Sequence, residues 1–323
     1  MESDIFMQTT MRHKPSGGSK VFRKPKGGQE GIIHALLLLA AVCAVIIIFL
    51  ITYFIFQTGL PVFKEYGIWN ILSGEVWQPT KSVFGILPMI TGTFYVTLLA
   101  LLIGVPFGIA TAIFLAEMST ERTSKIIRPA IELLAGIPSV IYGLFGMVVI
   151  NEIMRYIQRN VFGNVLPSEY QMGYSVLSGG IVLAIMILPT IINISEDAIK
   201  AVPKSYKQGA LALGSTHIQA IFRVIVPAAK SGIISGIVLA MGRALGETMA
   251  LIMVIGNMPI IPGHGLYSIF APISSLTATI ALEMGYAAPE HRAALFALGI
   301  VLFCIVALLN TFAILFIRKG ARR

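Results

Sequence analysis

The sequence predicts an all-α integral membrane protein with six transmembrane helices and both termini on the cytoplasmic side. Three observations carry that expectation. The chain is 56% hydrophobic and only 12% charged, whereas soluble domains carry about 25% charged residues. Six apolar runs reach the length of about 20 residues that a helix needs to cross a hydrocarbon core. The basic residues gather in alternate connecting segments.

The runs lie near 32–56, 86–115, 130–150, 176–195, 232–256 and 293–317. Ahead of the first stands a basic tail, residues 1–30, containing KPSGGSKVFRKPKGG. Its Lys, Arg, Gly and Ser content predicts disorder, and it reads as a topology-setting basic tail, with contact with anionic membrane lipid as the alternative role. The first run starts too late and is too long for a cleavable signal peptide. The membrane domain then occupies 31–320. Gly104, Pro106 and Gly108 predict a kink or tilt in the second run, and Pro189 a bend in the fourth. Cys43 and Cys304, the two cysteines, fall in apolar runs and read as small buried hydrophobes.

Orientation follows from the loops. One set holds Arg12, Lys14, Lys20, Arg23, Lys24 and Lys26, then Arg122, Lys125 and Arg128. It continues with Lys200, Lys204, Lys207, Arg223 and Lys230 and ends with Arg318, Lys319, Arg322 and Arg323. The alternate set holds only Lys64, Lys81, Arg155, Arg159 and Arg292. The richer set marks the cytoplasmic face. The net charge of +9 is thus a matter of topology, and no groove-tracking stripe suggests nucleic acid.

Between the fourth and fifth runs, residues 200–230 predict a cytoplasmic helical hairpin. Pro203 suits a helix start, and Ser205–Leu213 makes about two turns. Gly214 can take the left-handed stop. Thr216 and Gln219 have capping-box spacing for a second helix, HIQAIFRVIV, which Pro227 is expected to end. Ala210, Leu211, Leu213, Ile218, Ile221 and Phe222 offer an apolar surface that wants a cover.

The fifth run carries two charges, Arg243 and Glu247. An arginine near the bilayer centre costs about 2.5–3.5 kcal/mol on insertion scales, so it reads as a functional site. In a continuous helix the two would share one face and pair. Small residues form two rows, Gly232, Gly236 and Ala240, and Gly242, Gly246 and Ala250, suited to close helix packing. Arg128 and Glu132 have the spacing of an interfacial pair, and 257–275 reads as an irregular outer segment. No Gly-Lys dipeptide occurs, so no phosphate-cradling P-loop is encoded and any ATP hydrolysis belongs to another chain. The five histidines show no metal-ligand spacing. Ser139 lacks a base at its depth, which argues against an intramembrane hydrolase. An ion-coupled secondary transporter using Glu247 as a proton site is the competing class.

The hairpin resembles the cytoplasmic signature of ABC importer permeases, Glu-Ala-Ala, three residues, Gly, nine residues, Ile-x-Leu-Pro. Here Gln208-Gly209-Ala210, Gly214 and Val224-Ile225-Val226-Pro227 keep the spacing, with Gln208 and Gly209 departing in type. RPAIELLAGIPSVIYGLFG (128–146), GRALGETMALIMVIGN (242–257) and HRAALFALGIVLFCIVALLN (291–310) further resemble the phosphate-specific, PstC-like permeases.

The resemblance implies a type I ABC importer permease (MetI-like) architecture in the bacterial inner membrane. Its implied partners are an ATP-binding subunit (PstB-like, two copies), a second permease (PstA-like) and an extracytoplasmic phosphate-binding protein (PstS-like). ATP and Mg would sit on the ATPase, with no cofactor and no catalysis on this chain. Gln208, Gly209, Ala210, Gly214 and Pro227 would dock on the ATPase. Molybdate, sulfate and phosphonate are the alternative cargoes. Arginine's planar donor fork matches an oxyanion, which makes Arg243, balanced by Glu247, the expected pathway residue.

Overall fold

An apolar chain that leaves water must satisfy its backbone internally. The computed structural model, which describes residues 28–320 apart from His264, does so almost entirely with helices. They begin with α1 (Gly28–Tyr66) and α2 (Ile68–Ser73), followed by a hairpin of β1 (Trp77–Gln78) and β2 (Val83–Phe84), paired Trp77 to Phe84. Next come α3 (Leu87–Ile113), α4 (Glu121–Gly136), α5 (Ser139–Phe145), α6 (Asn151–Asn160) and α7 (Val176–Lys200). The remainder is α8 (Lys204–Ala212), α9 (His217–Ala220), α10 (Val226–Gly246), α11 (Met249–Val254), α12 (Leu276–Glu283) and α13 (Pro289–Gly320). Five-residue π-turns extend α3 (Phe114–Met118), join α5 to α6 (Gly146–Ile150) and join α9 to α10 (Ile221–Ile225).

Six helices are long and apolar enough to span a membrane: 31–66, 87–118, 139–160, 176–200, 217–246 and 289–315. The expected six spans are all present, with two displaced. Span three starts at Ser139 instead of residue 130, because 121–136 form a separate amphipathic helix. Thr120 caps that helix, accepting from the Thr123 N–H at 3.3 Å, and it ends before Pro138. Span five runs from His217 to Gly246, not 232–256. Most of the basic tail placed at 1–30 lies outside the described residues.

The chain forms two units, 1–53 and 54–323. The described part of the first is a single helix with every side chain from Ile32 to Ile51 exposed. It is apolar all round, as a lipid-immersed helix is. Cys43 lies on this surface, and Cys304 is exposed on α13, so neither is the buried hydrophobe expected.

The core of the second unit is α7 packed between α3 and α10, with Val96, Leu183, Ile187, Ile191, Leu251 and Ile255 buried together. Gly104 and Gly108 allow this approach. A Cβ at Gly108 would stand 2.7 Å from Ile191. Both α3 and α7 continue without interruption through Pro106 and Pro189.

The segment after α11 departs from the reading of 257–275 as an outer-facing stretch. It is irregular, yet its second half turns back into the protein. Ala271 and Ile273 are fully buried, and the Ile273 N–H donates to the Ile255 carbonyl at 3.0 Å. Ser275 then caps α12, accepting from the Ala278 N–H at 3.2 Å.

Candidate functional site

The residues singled out from the sequence gather at the two ends of the long helix 217–246. At its N-terminal end, on the basic side of the molecule, α8 stops in a left-handed turn. Gly214 has φ +85°, the Ser215 N–H reaches the Ala210 carbonyl (3.1 Å) and the Gly214 N–H reaches Leu211 (3.0 Å). These bonds satisfy carbonyls a helix end leaves orphaned. Thr216 and Gln219 form the expected capping box. Pro227 does not end the second helix. The preceding π-turn shifts the hydrogen bonding, with the Val226 N–H bonded to Ile221 five residues back, and α10 starts over the proline. A proline is tolerated in a first turn, where its missing N–H has no obligatory partner.

The apolar residues of this hairpin divide by role. Ala210 and Ile221 are buried within it. Leu213 is 90% exposed, and Leu211, Ile218 and Phe222 are exposed beside it. Gln208, Gly209 and Pro227 are exposed as well. Lys207, just before them, pairs with Glu117 of the π-turn after α3 at 2.5 Å. That pair lines a cavity of about 310 Å³ together with Lys200 and Lys204. It ties α8 to span two.

The other region is the end of α10. Arg243 lies roughly thirteen residues past Lys230, so about 20 Å along the helix axis. It is exposed on this chain, on a face shared with Leu239 and Gly246. A Cβ added at Gly242 or Gly246 would meet nothing within 4 Å, whereas Gly232 and Gly236 press on Ala198 and Ile194 of α7. One small-residue row therefore packs inside the chain, and two members of the other, Gly242 and Gly246, face open space. The third, Ala250, is buried.

The expected Arg243–Glu247 pair is absent. The helix stops at Gly246, and Glu247 is extended (φ −69°, ψ 131°). Its carboxylate accepts from the Ala250 N–H (3.4 Å) and its carbonyl from the Thr277 hydroxyl (2.8 Å). Among the described residues no carboxylate comes within 4.0 Å of Arg243; the ion pairs there are all elsewhere. The spacing of four has its usual meaning only in an unbroken helix.

Arg128 likewise pairs with Glu196 and not with exposed Glu132. Glu196 is 6% exposed at its side chain and also binds Lys200 at 2.6 Å. This cluster fastens α4 to α7, and only the Glu196–Lys200 spacing hinted at it in the sequence. On the opposite side of the molecule, Glu283 accepts from the Trp77 indole (3.0 Å) and contacts His291 Nε2 (2.7 Å). It joins the β-hairpin, α12 and α13. Burial, then neighbouring Glu283, raises the Tyr286 hydroxyl above its ordinary value. No local motif announces these contacts. No group of His, Cys, Asp or Glu among the described residues could hold a metal ion.

Residues 104–323 match the family model described as "Binding-protein-dependent transport system inner membrane component". The chain is 40% identical to the probable ABC transporter permease protein YqgH of Bacillus subtilis, covering 82% of this chain and 84% of that one. It is 36% identical to the phosphate transport system permease protein PstC of Mesorhizobium japonicum, covering 88% of each. Among solved structures, it is similar in fold to a bacterial ABC transporter involved in the import of the acidic polysaccharide alginate. That match has TM-score 0.59 and 19% identity, covering 90% of this chain and 98% of that one.

Proposed function

This chain belongs to the binding-protein-dependent transport system inner membrane components, and from that premise we propose that it is the pathway-forming permease of an ATP-driven phosphate importer. The observation that carries the reading is Arg243. It stands exposed on an open helix face, with no carboxylate partner among the described residues, about 20 Å along the helix from Lys230 and one turn before the helix ends. A fixed guanidinium there lowers the barrier for a partly dehydrated oxyanion and offers it a planar pair of donors. The names of relatives that cover most of the chain support phosphate as that oxyanion.

The open face bearing Leu239, Gly242 and Gly246 suits a second, PstA-like permease, which would close the pathway around Arg243. Glu247 shapes the end of the helix and stands beside the anion's route. The hairpin supplies the contact with a PstB-like ATPase, present in two copies, which holds ATP and Mg. Leu213, Ile218 and Phe222 give that contact its apolar area. Gly209 and Gln208 keep the surface free of bulk and charge, and Ala210, Gly214 and Pro227 set its shape. A PstS-like binding protein delivers the anion at the outer face of a bacterial inner membrane. This chain itself catalyses nothing.

The test is phosphate uptake into proteoliposomes holding the whole complex, with ATP inside and binding protein outside. Arg243→Gln should lower uptake at low phosphate by about 100-fold, the loss expected for a desolvated charge-assisted contact. Normal uptake by that variant refutes the pathway role. Proton-gradient-driven uptake by this chain alone refutes the importer reading, and equal uptake of molybdate or sulfate refutes phosphate as the cargo.

A further inference from the structure

We infer that Thr277 is a positioning residue that holds the helix open between Arg243 and Glu247, so that the arginine keeps its charge for the transported anion. This rests on the reading of Arg243 as a pathway residue. Local sequence does not demand a break where one occurs. The stretch Ala244–Leu251 contains no proline, and most of its residues are good helix formers. Gly246 weakens a helix without ending it. Continued by one turn, α10 would set Glu247 beside Arg243 on one face. In a low-dielectric span the two would pair and neutralise the site.

The break is held by two substituted hydrogen bonds. In a continuous helix the Ala250 N–H would bond the Gly246 carbonyl; here it bonds the Glu247 carboxylate at 3.4 Å. The Glu247 carbonyl would accept from the Leu251 N–H; here it accepts from the Thr277 hydroxyl at 2.8 Å. Thr277 is 7% exposed, so water does not readily take its place.

Thr277 is itself fixed from outside span five. Its hydroxyl lies 3.2 Å from that of Ser275, and the neighbouring Leu276 N–H donates to Thr93 of α3 at 3.0 Å. The Ser274 carbonyl lies so close over Gly92 that a Cβ there would come within 2.1 Å of it. The returning segment is thus anchored on span two and holds the Glu247 carbonyl through the Thr277 hydroxyl. A lost hydroxyl leaves a half-buried carbonyl without its partner. Closing the helix repairs that loss and delivers Glu247 to Arg243.

The experiment measures KM and maximal rate for inorganic phosphate in the assembled complex for Thr277→Val, Thr277→Ser, Glu247→Gln and the Thr277→Val/Glu247→Gln double variant. Thr277→Val should raise KM about tenfold, the worth of neutralising one charge contact. Thr277→Ser, which keeps the hydroxyl, should stay within about twofold. The double variant, with no carboxylate to neutralise Arg243, should return KM to within about threefold of Glu247→Gln alone. An unchanged KM in Thr277→Val overturns the inference. So does a defect that Glu247→Gln fails to relieve, since a merely structural role predicts that result. If Arg243→Gln is impaired while Thr277→Val is normal, the pathway reading stands and only the role of Thr277 falls.

Discussion

The helix that starts at His217 is irregular at two places, and they differ in kind. At Ile221–Ile225 the backbone widens into a π-turn, yet the axis continues through Pro227 to Gly246. At Glu247 the backbone turns extended and the helix restarts as α11. The first leaves the helix continuous and the second ends it. The hairpin's second arm and Arg243 thus lie on one continuous helix of 30 residues, about 45 Å long at 1.5 Å per residue. Arg243 stands near the end of that helix. Glu247 lies just beyond it, tied through Thr277 to α12 and so to span two. The two charges that look like partners in the sequence lie on either side of a helix end.

Several substitutions would break or sharpen this contrast. The largest effect is expected at the end of the helix, where Arg243→Gln lowers uptake by about 100-fold while leaving ATPase binding intact. Loss of ATPase binding in that variant would mean that the end and the hairpin are not separable. Next is Leu213→Asp on the 90% exposed hairpin tip. A buried, unpaired carboxylate in an apolar contact should cut co-purification of the ATPase by at least about tenfold. An unchanged yield would show that this tip is not the contact.

Gly214 gives a smaller effect. Its φ of +85° costs an ordinary L-residue about 1–2 kcal/mol, so ATP-coupled uptake should fall in the order Gly214, Asn, Val. Equal values for Asn and Val would detach the turn from coupling. The smallest effect belongs to Pro227→Ala. Because the π-turn already accommodates the ring, uptake should change less than about threefold. A large loss would show that the proline does more than start α10.

Much of the hairpin was legible in the sequence because its determinants are local. Gly214 needs only its own backbone angle, and the Thr216–Gln219 box closes over three residues. The pairing of Arg243 with Glu247 was misread for the converse reason. Helical periodicity assumes continuity, and the group that ends the helix, Thr277, is 30 residues away. The Arg128 partner, Glu196, is 68 residues away, and no spacing rule reaches that far. Pro227 was misread more narrowly: a proline signals a helix end, unless a π-turn shifts the hydrogen bonds ahead of it.

The sequence by itself determined that this chain crosses a membrane six times, which side carries the basic loops, and that a capped helical hairpin leads on from span four. Those features follow from transfer free energy and short-range hydrogen bonding, which sum along a chain without reference to its path. Only the tertiary structure decided that α4 lies apart from span three and that the segment near Ile273 folds back into the protein. It also decided that Arg243 stands without Glu247. These depend on single hydrogen bonds between distant residues, and such bonds exist only once packing has brought the groups together.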